Sequence, residues 1–280
     1  EDCRRQRQMC IRDRLNAMNS LNNPIPYAAG MECDGKKEII YFDQNNRDAQ
    51  ILSQLAPSFP DKTITLGNWT DSNDRALLTI EDSSVVQEVF LLDLKQGSLK
   101  PIGRTSNVPK DRLHKMVSKK FTTRDGESIY GYLTKPKGKV ERLIVYIHGG
   151  PYGIRDFDSY DFSEQYLASK GAAVLKVNYR GSGGYGTNFM EDAYKEWGGR
   201  LLNDIADATQ AVQKELGIGR EKTCAFGASY GGYAALAMAY KYSELYECVA
   251  GGMGVYDMQI LRDGTDDSIY TRQDLSLIHI

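Results

Sequence analysis

The sequence predicts an α/β protein with a mostly parallel sheet, preceded by an all-β segment, and three observations carry that expectation. From Phe121 onward, continuous apolar runs alternate with stretches of helical periodicity. Unbroken apolar runs are the mark of buried parallel strands, and strand, helix, strand in repetition builds a parallel sheet with helices on both faces. Between Ile39 and Gly103 the chain runs instead through short β-rich pieces separated by polar turns. Finally, CAFGASYGGYAAL passes from a short apolar strand through a glycine-rich turn at Ser229 into an Ala-rich helical run.

Taken in order, the β-rich pieces are EIIYFD, TITLGNW, ALLTIED, EVFLLDL and SLKPIG, with turn chemistry at Asp34-Gly35 and at the polar cluster Asp71 to Asp74. Four successive strands from Thr63 to Gly103 have the length of one β-propeller blade, and a sandwich fragment would have the same periodicity. RTSNVPKDR follows as a linker. FTTRDGESIYGYL then reads as a hairpin turning at Asp125-Gly126, and LIVYIHGG and AAVLKVNY as buried strands. Leu202, Ile205, Ala208, Val212 and Leu216 recur near the helical period with charges on the other face, and Gly217 closes that helix. TCAFG and ECVAGGMGV are the next two strands.

With 280 residues, 41% of them hydrophobic, the chain is long enough for one large domain or one domain plus part of another. Its 35 Lys and Arg against 37 Asp and Glu leave a formal charge of -2, so no basic field favours nucleic acid or an anionic membrane. No apolar run approaches the roughly 20 residues that cross a bilayer. Five cysteines in such a length do not describe a disulfide scaffold, and their odd number argues for reduced thiols. A cytoplasmic location is favoured over a secreted one, the N-terminal signal region being absent from the reading.

The two ends are expected to be foreign. LSLIHI at 275–280 is encoded by CTG TCT CTT ATA CAC ATC, whose reverse complement contains ATG TGT ATA AGA GAC AG, the codons of MCIRDR at 9–14. This is a transposon mosaic-end adapter read in both orientations, so residues 1–14 and 275–280 are set aside as translated adapter. Cys3, Cys10 and His279 go with them, leaving Cys33, Cys224 and Cys248. The expected domains are then the last part of a β-propeller over 15–110 and an α/β domain over 111–274, incomplete at its C-terminus.

Gly227-Ala228-Ser229-Tyr230-Gly231 matches G-x-S-x-G at a strand-to-helix junction. The turn is so tight that neighbouring side chains would clash, hence Gly227 and Gly231 flanking Ser229. It lifts the hydroxyl above the strand ends, over the positive end of the helix dipole. A serine that merely caps a helix is the alternative. Some eighty residues upstream, His148-Gly149-Gly150-Pro151 follows a buried strand, where an α/β-hydrolase places a loop that donates to the oxyanion. Pro151 has no N–H, so Gly150 is the donor expected there, with the backbone N–H of Tyr230 as the second and His148 supporting the turn. A base should follow the nucleophile, in the order Ser, Asp or Glu, His. Asp257, Asp263, Asp266 and Asp267 do follow it, but no histidine outside the adapter does, and they read as solvated loop carboxylates. His114 lies in the linker region.

Gly181-Ser182-Gly183-Gly184-Tyr185-Gly186 raises a dinucleotide-binding alternative, weakened because Asp204 and Asp207 lie within the amphipathic helix and not at a strand end. Asn68-Trp69-Thr70 is a glycosylation sequon of a kind common by chance. Tyr230 to Tyr246 reads as helix packing, and no His/Cys cluster has metal-ligand spacing.

FTTRDGESIYGYL, YIHGGPYG, LASKGAAVLKVNYRGSGGYG, EWGGRLLNDIADA and GASYGGYAALAMA, in this order and spacing, resemble the prolyl oligopeptidase family of serine peptidases, most closely its acylaminoacyl-peptidase-like branch. The resemblance is strong over about 117–258 and looser before it. It implies a propeller capping an α/β-hydrolase domain, Ser229 as nucleophile, Gly150 and Tyr230 as oxyanion donors, and short peptides as substrates; separately, no metal or other cofactor is expected, and a homo-oligomer stays open. It makes the glycine-rich NYRGSGGYG segment a structural loop, and it places the triad's Asp and His beyond position 280. A carboxylesterase or lipase shares the same elbow, and a non-catalytic binding protein can keep the fold without the triad.

Overall fold

The computed structural model describes residues 17–20, 25–33, 36–60, 62–83 and 85–257. The two adapter-like ends, the Asp34-Gly35 turn and Asp263, Asp266 and Asp267 lie outside the described residues. The chain divides into two compact units, 1–116 with 158–165, and 117–157 with 166–280.

In the first unit, β1 (Ala17–Asn19), β2 (Pro26–Cys33) and β3 (Lys36–Tyr41) form an antiparallel sheet in that order. Helix α1 (Arg47–Leu55) packs on β2 and on β4 (Thr63–Trp69). Asn46 starts that helix: its side chain accepts from the N–H groups of Asp48 at 2.8 Å and Ala49 at 3.2 Å, two of the donors a helix start leaves unpaired. β4 continues into β5 (Arg75–Asp82), β6 (Val85–Asp93) and β7 (Ser98–Arg104), a four-stranded antiparallel meander as the sequence predicts. Ala76, Leu78 and Ile80 alternate inward on β5, and Leu78 and Ile80 meet Leu52 and Ile64 in one apolar core.

Residues 158–165 belong to this unit. Asp158 takes Lys37 Nζ on its carbonyl at 2.7 Å and the Ser83 N–H on its carboxylate at 3.2 Å. Gln165 clamps both backbone groups of His114, accepting its N–H at 2.7 Å and donating to its carbonyl at 2.8 Å. The unit boundary therefore falls after Met116, with Leu113, His114 and Met116 buried, while the RTSNVPKDR stretch before them, 104–112, is exposed or half-buried.

The second unit contains β8 (Met116–Thr122), β9 (Ser128–Thr134), β10 (Arg142–Ile147), α2 (Phe162–Ser169, its first turn in the other unit), β11 (Ala172–Asn178), α3 (Thr187–Glu191), α4 (Arg200–Leu216), β12 (Thr223–Ala228), α5 (Tyr230–Lys241) and β13 (Cys248–Gly252). Its six strands run in the order β13-β12-β10-β11-β9-β8, with β10 to β13 parallel and β9 antiparallel to β11. Gly217 ends α4 at φ 62°, the left-handed conformation expected of it.

Leu143, Val145, Ile147 and Ala225 share the core with Leu201, Leu202, Ile205, Ala208 and Val212 of α4 and with Ala234, Ala235 and Met238 of α5. Strand side chains alternate between faces, so α4 and α5 cover one face of the central strands. The opposite face, carrying Ile144, Tyr146 and Phe226, is half-buried among the described residues. A correction concerns the thiols. Cys224 and Cys248 are direct register partners on β12 and β13, with Cα atoms 4.7 Å apart, and are joined as a disulfide. Their pairing follows from strand register, which a cysteine count does not contain.

Candidate active site

Register explains how two segments eighty residues apart meet. Ile147 pairs with Gly227 where β10 and β12 run parallel, so the chain leaving β10 and the chain leaving β12 emerge side by side. His148 to Pro151 issues from one strand and Ala228 to Tyr230 from the other.

Ser229 is exposed and sits at φ 57°, ψ -126°, a conformation that L-residues rarely adopt. The strain is held by three backbone bonds: Ser229 N–H donates to Gly252 O at 3.1 Å, and Ser229 O accepts from Gly232 and Tyr233 at 3.0 and 3.1 Å. Gly227 and Gly231 are required as the spacing predicts, because a Cβ on Gly227 would collide with the Gly231 carbonyl and one on Gly231 with the Ile147 carbonyl. The loop from β10 crosses above. A Cβ placed on Gly149 would lie 3.3 Å from Ser229 Cβ and 3.8 Å from its Oγ, so the Gly149 backbone abuts the hydroxyl. Gly150 has φ 117°, and the Gly150–Pro151 bond is cis.

Tyr230 is the first residue of α5, and its N–H is one of those a helix start cannot satisfy internally. Its side chain anchors it. The ring is fully buried, meets Trp197 edge-on at 4.9 Å, and its hydroxyl donates to Trp197 O at 2.9 Å. Desolvation by burial raises the Tyr230 and Tyr179 hydroxyl pKa values well above the usual tyrosine range, so both remain donors.

His148 does not serve Ser229 as a base. Its Nδ1 faces Gly149 O and the Tyr179 hydroxyl, and its Nε2 faces Ser182 Oγ. Among the described residues no side chain hydrogen-bonds Ser229 Oγ, and Asp257 is an exposed carboxylate. No group of three or more His, Cys, Asp or Glu stands at metal-binding distance among them either.

The glycine-rich loop after β11 is a packing element. Gly183 N–H donates to Ile154 O at 3.1 Å and Gly181 O accepts from Gly153 at 2.9 Å, which straps it to the His148–Ile154 loop. Asp204 and Asp207 are taken by Arg180 and Arg124, not held at a strand end.

Sequence reasoning missed Tyr179 and Ser182. Tyr179 donates from its hydroxyl to His148 O at 2.9 Å and stacks on the imidazole at 4.3 Å, while Ser182 Oγ meets its Nε2 at 3.0 Å. Both lie within NYRGSGGYG, whose glycines drew attention from the polar atoms between them.

Strand, strained serine turn and helix, with a second glycine loop laid over the serine, define the site of the α/β-hydrolase class. Comparison with known proteins narrows it. Residues 158–277 match the model of the prolyl oligopeptidase family. The chain is 33% identical over 151 residues to dipeptidyl aminopeptidase BIII of Pseudoxanthomonas mexicana, covering 50% of this chain and 22% of the relative. It is 35% identical over 218 residues to dipeptidyl peptidase family member 6 of Caenorhabditis elegans, covering 77% and 26%. Among solved structures, a puromycin hydrolase superposes with a TM-score of 0.60 at 28% identity over 75% of this chain and 32% of that one. The acylaminoacyl peptidase of Pyrococcus horikoshii shares the fold, with a TM-score of 0.59 at 23% identity over 72% and 33%. The chain thus spans about a fifth to a third of the length of these proteins.

Proposed function

We propose that the protein hydrolyses short peptides as a serine peptidase, with Ser229 as nucleophile and the N–H groups of Gly150 and Tyr230 as oxyanion donors. The observation that carries this is the strained, exposed Ser229 with Gly149, the residue before the proposed donor, packed against it. Ser229 Oγ attacks the scissile carbonyl carbon while a histidine takes its proton. The carbonyl oxygen becomes an anion between the two N–H donors, and the histidine protonates the leaving amine. Water then attacks the acyl-enzyme ester and restores the serine. Each donor contributes about 10²- to 10³-fold in rate. The triad Asp and His follow Ser229 in this fold class, at positions beyond the described residues. The four-stranded meander β4 to β7 is read as a propeller blade, a cap that admits short peptides, and the enzyme needs no metal or cofactor.

The test is Ser229→Ala in the full-length protein, assayed on a peptide anilide and a nitrophenyl ester in parallel. Wild type should cleave the anilide, and the variant should lose about 10⁶-fold in turnover. Ester cleavage without anilide cleavage would make it a carboxylesterase, and a wild type inert to both would make it a binding protein that kept the fold.

A further inference from the structure

The peptide unit joining Gly149 to Gly150 carries both the proposed oxyanion donor, Gly150 N–H, and the Gly149 carbonyl. His148 Nδ1 lies 2.7 Å from that carbonyl oxygen. The Tyr179 hydroxyl also stands 3.1 Å from Nδ1, but its one proton goes to His148 O at 2.9 Å, and a carbonyl can only accept, so Nδ1 is assigned the ring proton and donates it. Nε2 is then the acceptor for Ser182 Oγ at 3.0 Å. Desolvation lowers the imidazole pKa, which keeps this single tautomer neutral. Tyr179 fixes the ring from one side: it stacks at 4.3 Å with planes 14° apart, and its hydroxyl donates to His148 O at 2.9 Å and reaches Gly149 O at 3.4 Å.

The peptide is planar, with C=O and N–H pointing in opposite directions. Holding the oxygen therefore aims the N–H, and a hydrogen bond accepted at the oxygen polarises the N–H into a stronger donor.

We propose that His148 is a positioning residue for the oxyanion site, its Nδ1–H gripping Gly149 O so that Gly150 N–H is aimed and polarised toward the tetrahedral oxyanion. The contribution is made in the transition state, where the full negative charge appears, and so belongs to kcat. This rests on Ser229 being the nucleophile.

The experiment compares His148→Leu and His148→Asn in the full-length protein, since the Asn amide nitrogen stands near the place of Nδ1 and can donate to the same carbonyl. Each variant is measured for kcat and KM on a peptide anilide, for inhibition by a peptide aldehyde, and for thermal unfolding. His148→Leu should lose about 10²-fold in kcat with KM within about twofold, and bind the aldehyde more weakly by a comparable factor. His148→Asn should recover most of both. An unchanged kcat in His148→Leu overturns the proposal, as does a kcat loss that tracks a fall in melting temperature and is not recovered by Asn.

If His148→Leu does not fold, Tyr179→Phe keeps the stacked ring and removes the hydroxyl donor. It should lower kcat about tenfold at constant KM, less than the loss of a whole oxyanion donor, and a wild-type kcat overturns the proposal. Ser229→Ala runs alongside. If it retains turnover, the nucleophile assignment fails and takes this proposal with it, whereas an inactive Ser229→Ala beside a fully active His148→Leu defeats the His148 role alone.

Discussion

At the scale of single residues, the strain at Ser229 is maintained by atoms from other parts of the chain, and the glycines record where those atoms approach. A Cβ on Gly231 would enter the Ile147 carbonyl and lie 2.9 Å from His148 O, the start of the loop over the serine. Gly231→Ala should therefore destabilise the second unit by about 1–3 kcal/mol, the usual cost of overpacking, and displace the loop. Urea unfolding of the full-length protein reads the first effect, and a midpoint equal to that of wild type would contradict it. G-x-S-x-G was legible because the glycines are themselves the signal. The partner atoms were not, because they come from β10 and are set by the Ile147 to Gly227 register. The Cys224–Cys248 pair was hidden for the same reason: a separation of 24 residues means nothing until β12 and β13 lie side by side.

At the scale of elements, α4 shows how far periodicity reaches. Its apolar positions and its Gly217 stop stand as read, but its acidic residues are not all on a solvated face. Asp204 is fully buried and accepts from Arg180 three times, from the backbone N–H at 2.9 Å, from Nε at 3.0 Å and from an Nη at 2.6 Å. Arg180 also reaches Asp125 in the hairpin turn at 2.6 Å, so one guanidinium ties the loop after β11 to α4 and to the β8–β9 hairpin. Burial raises the Asp204 pKa and Arg180 opposes it, so the carboxylate depends on its partner. Arg180→Met would strand a buried carboxylate and should cost about 3–5 kcal/mol, whereas Arg180→Met with Asp204→Leu should cost much less. A single variant no less stable than the double would refute that coupling. A charged residue on a helix reads as solvent-facing unless its partner is known, and here the partner is contributed by a loop. Helix α1 is the opposite case: Asn46, with Asp48 in the first turn, was an available start signal that the short strand-like pieces around it obscured.

For the whole molecule, each unit has its own apolar core and its own set of carboxylates held below their ordinary pKa. In the second unit the Arg180 guanidinium, then Thr123, lower Asp125 to about 2, and Lys135 and Lys119 lower Glu215. In the first unit the Gln96 N–H and then Arg75 lower Asp93. A carboxylate with a depressed folded pKa stabilises the fold above its unfolded value and loses that contribution as pH falls through the folded one. Both units should therefore weaken from about pH 4 downward, reaching the Asp125 limit near 2. The chain has two tryptophans, and they report separately. Trp69 belongs to the first unit, with Arg47 4.0 Å over its ring and its indole N–H on Asp48 at 3.1 Å. Trp197 is fully buried in the second, against Tyr230. In full-length protein carrying Trp69→Phe, the emission remaining from Trp197 should shift to the red between pH 4 and 2; with Trp197→Phe, that from Trp69 should change over the same interval, background tryptophans being subtracted with the double variant. Adding Asp125→Asn removes one of the depressed carboxylates of the second unit, so the Trp197 transition should lose part of its steepness while the Trp69 transition stays where it was. Emission from Trp197 unchanged down to pH 2 would mean that the Arg180 network does not govern acid stability in that unit.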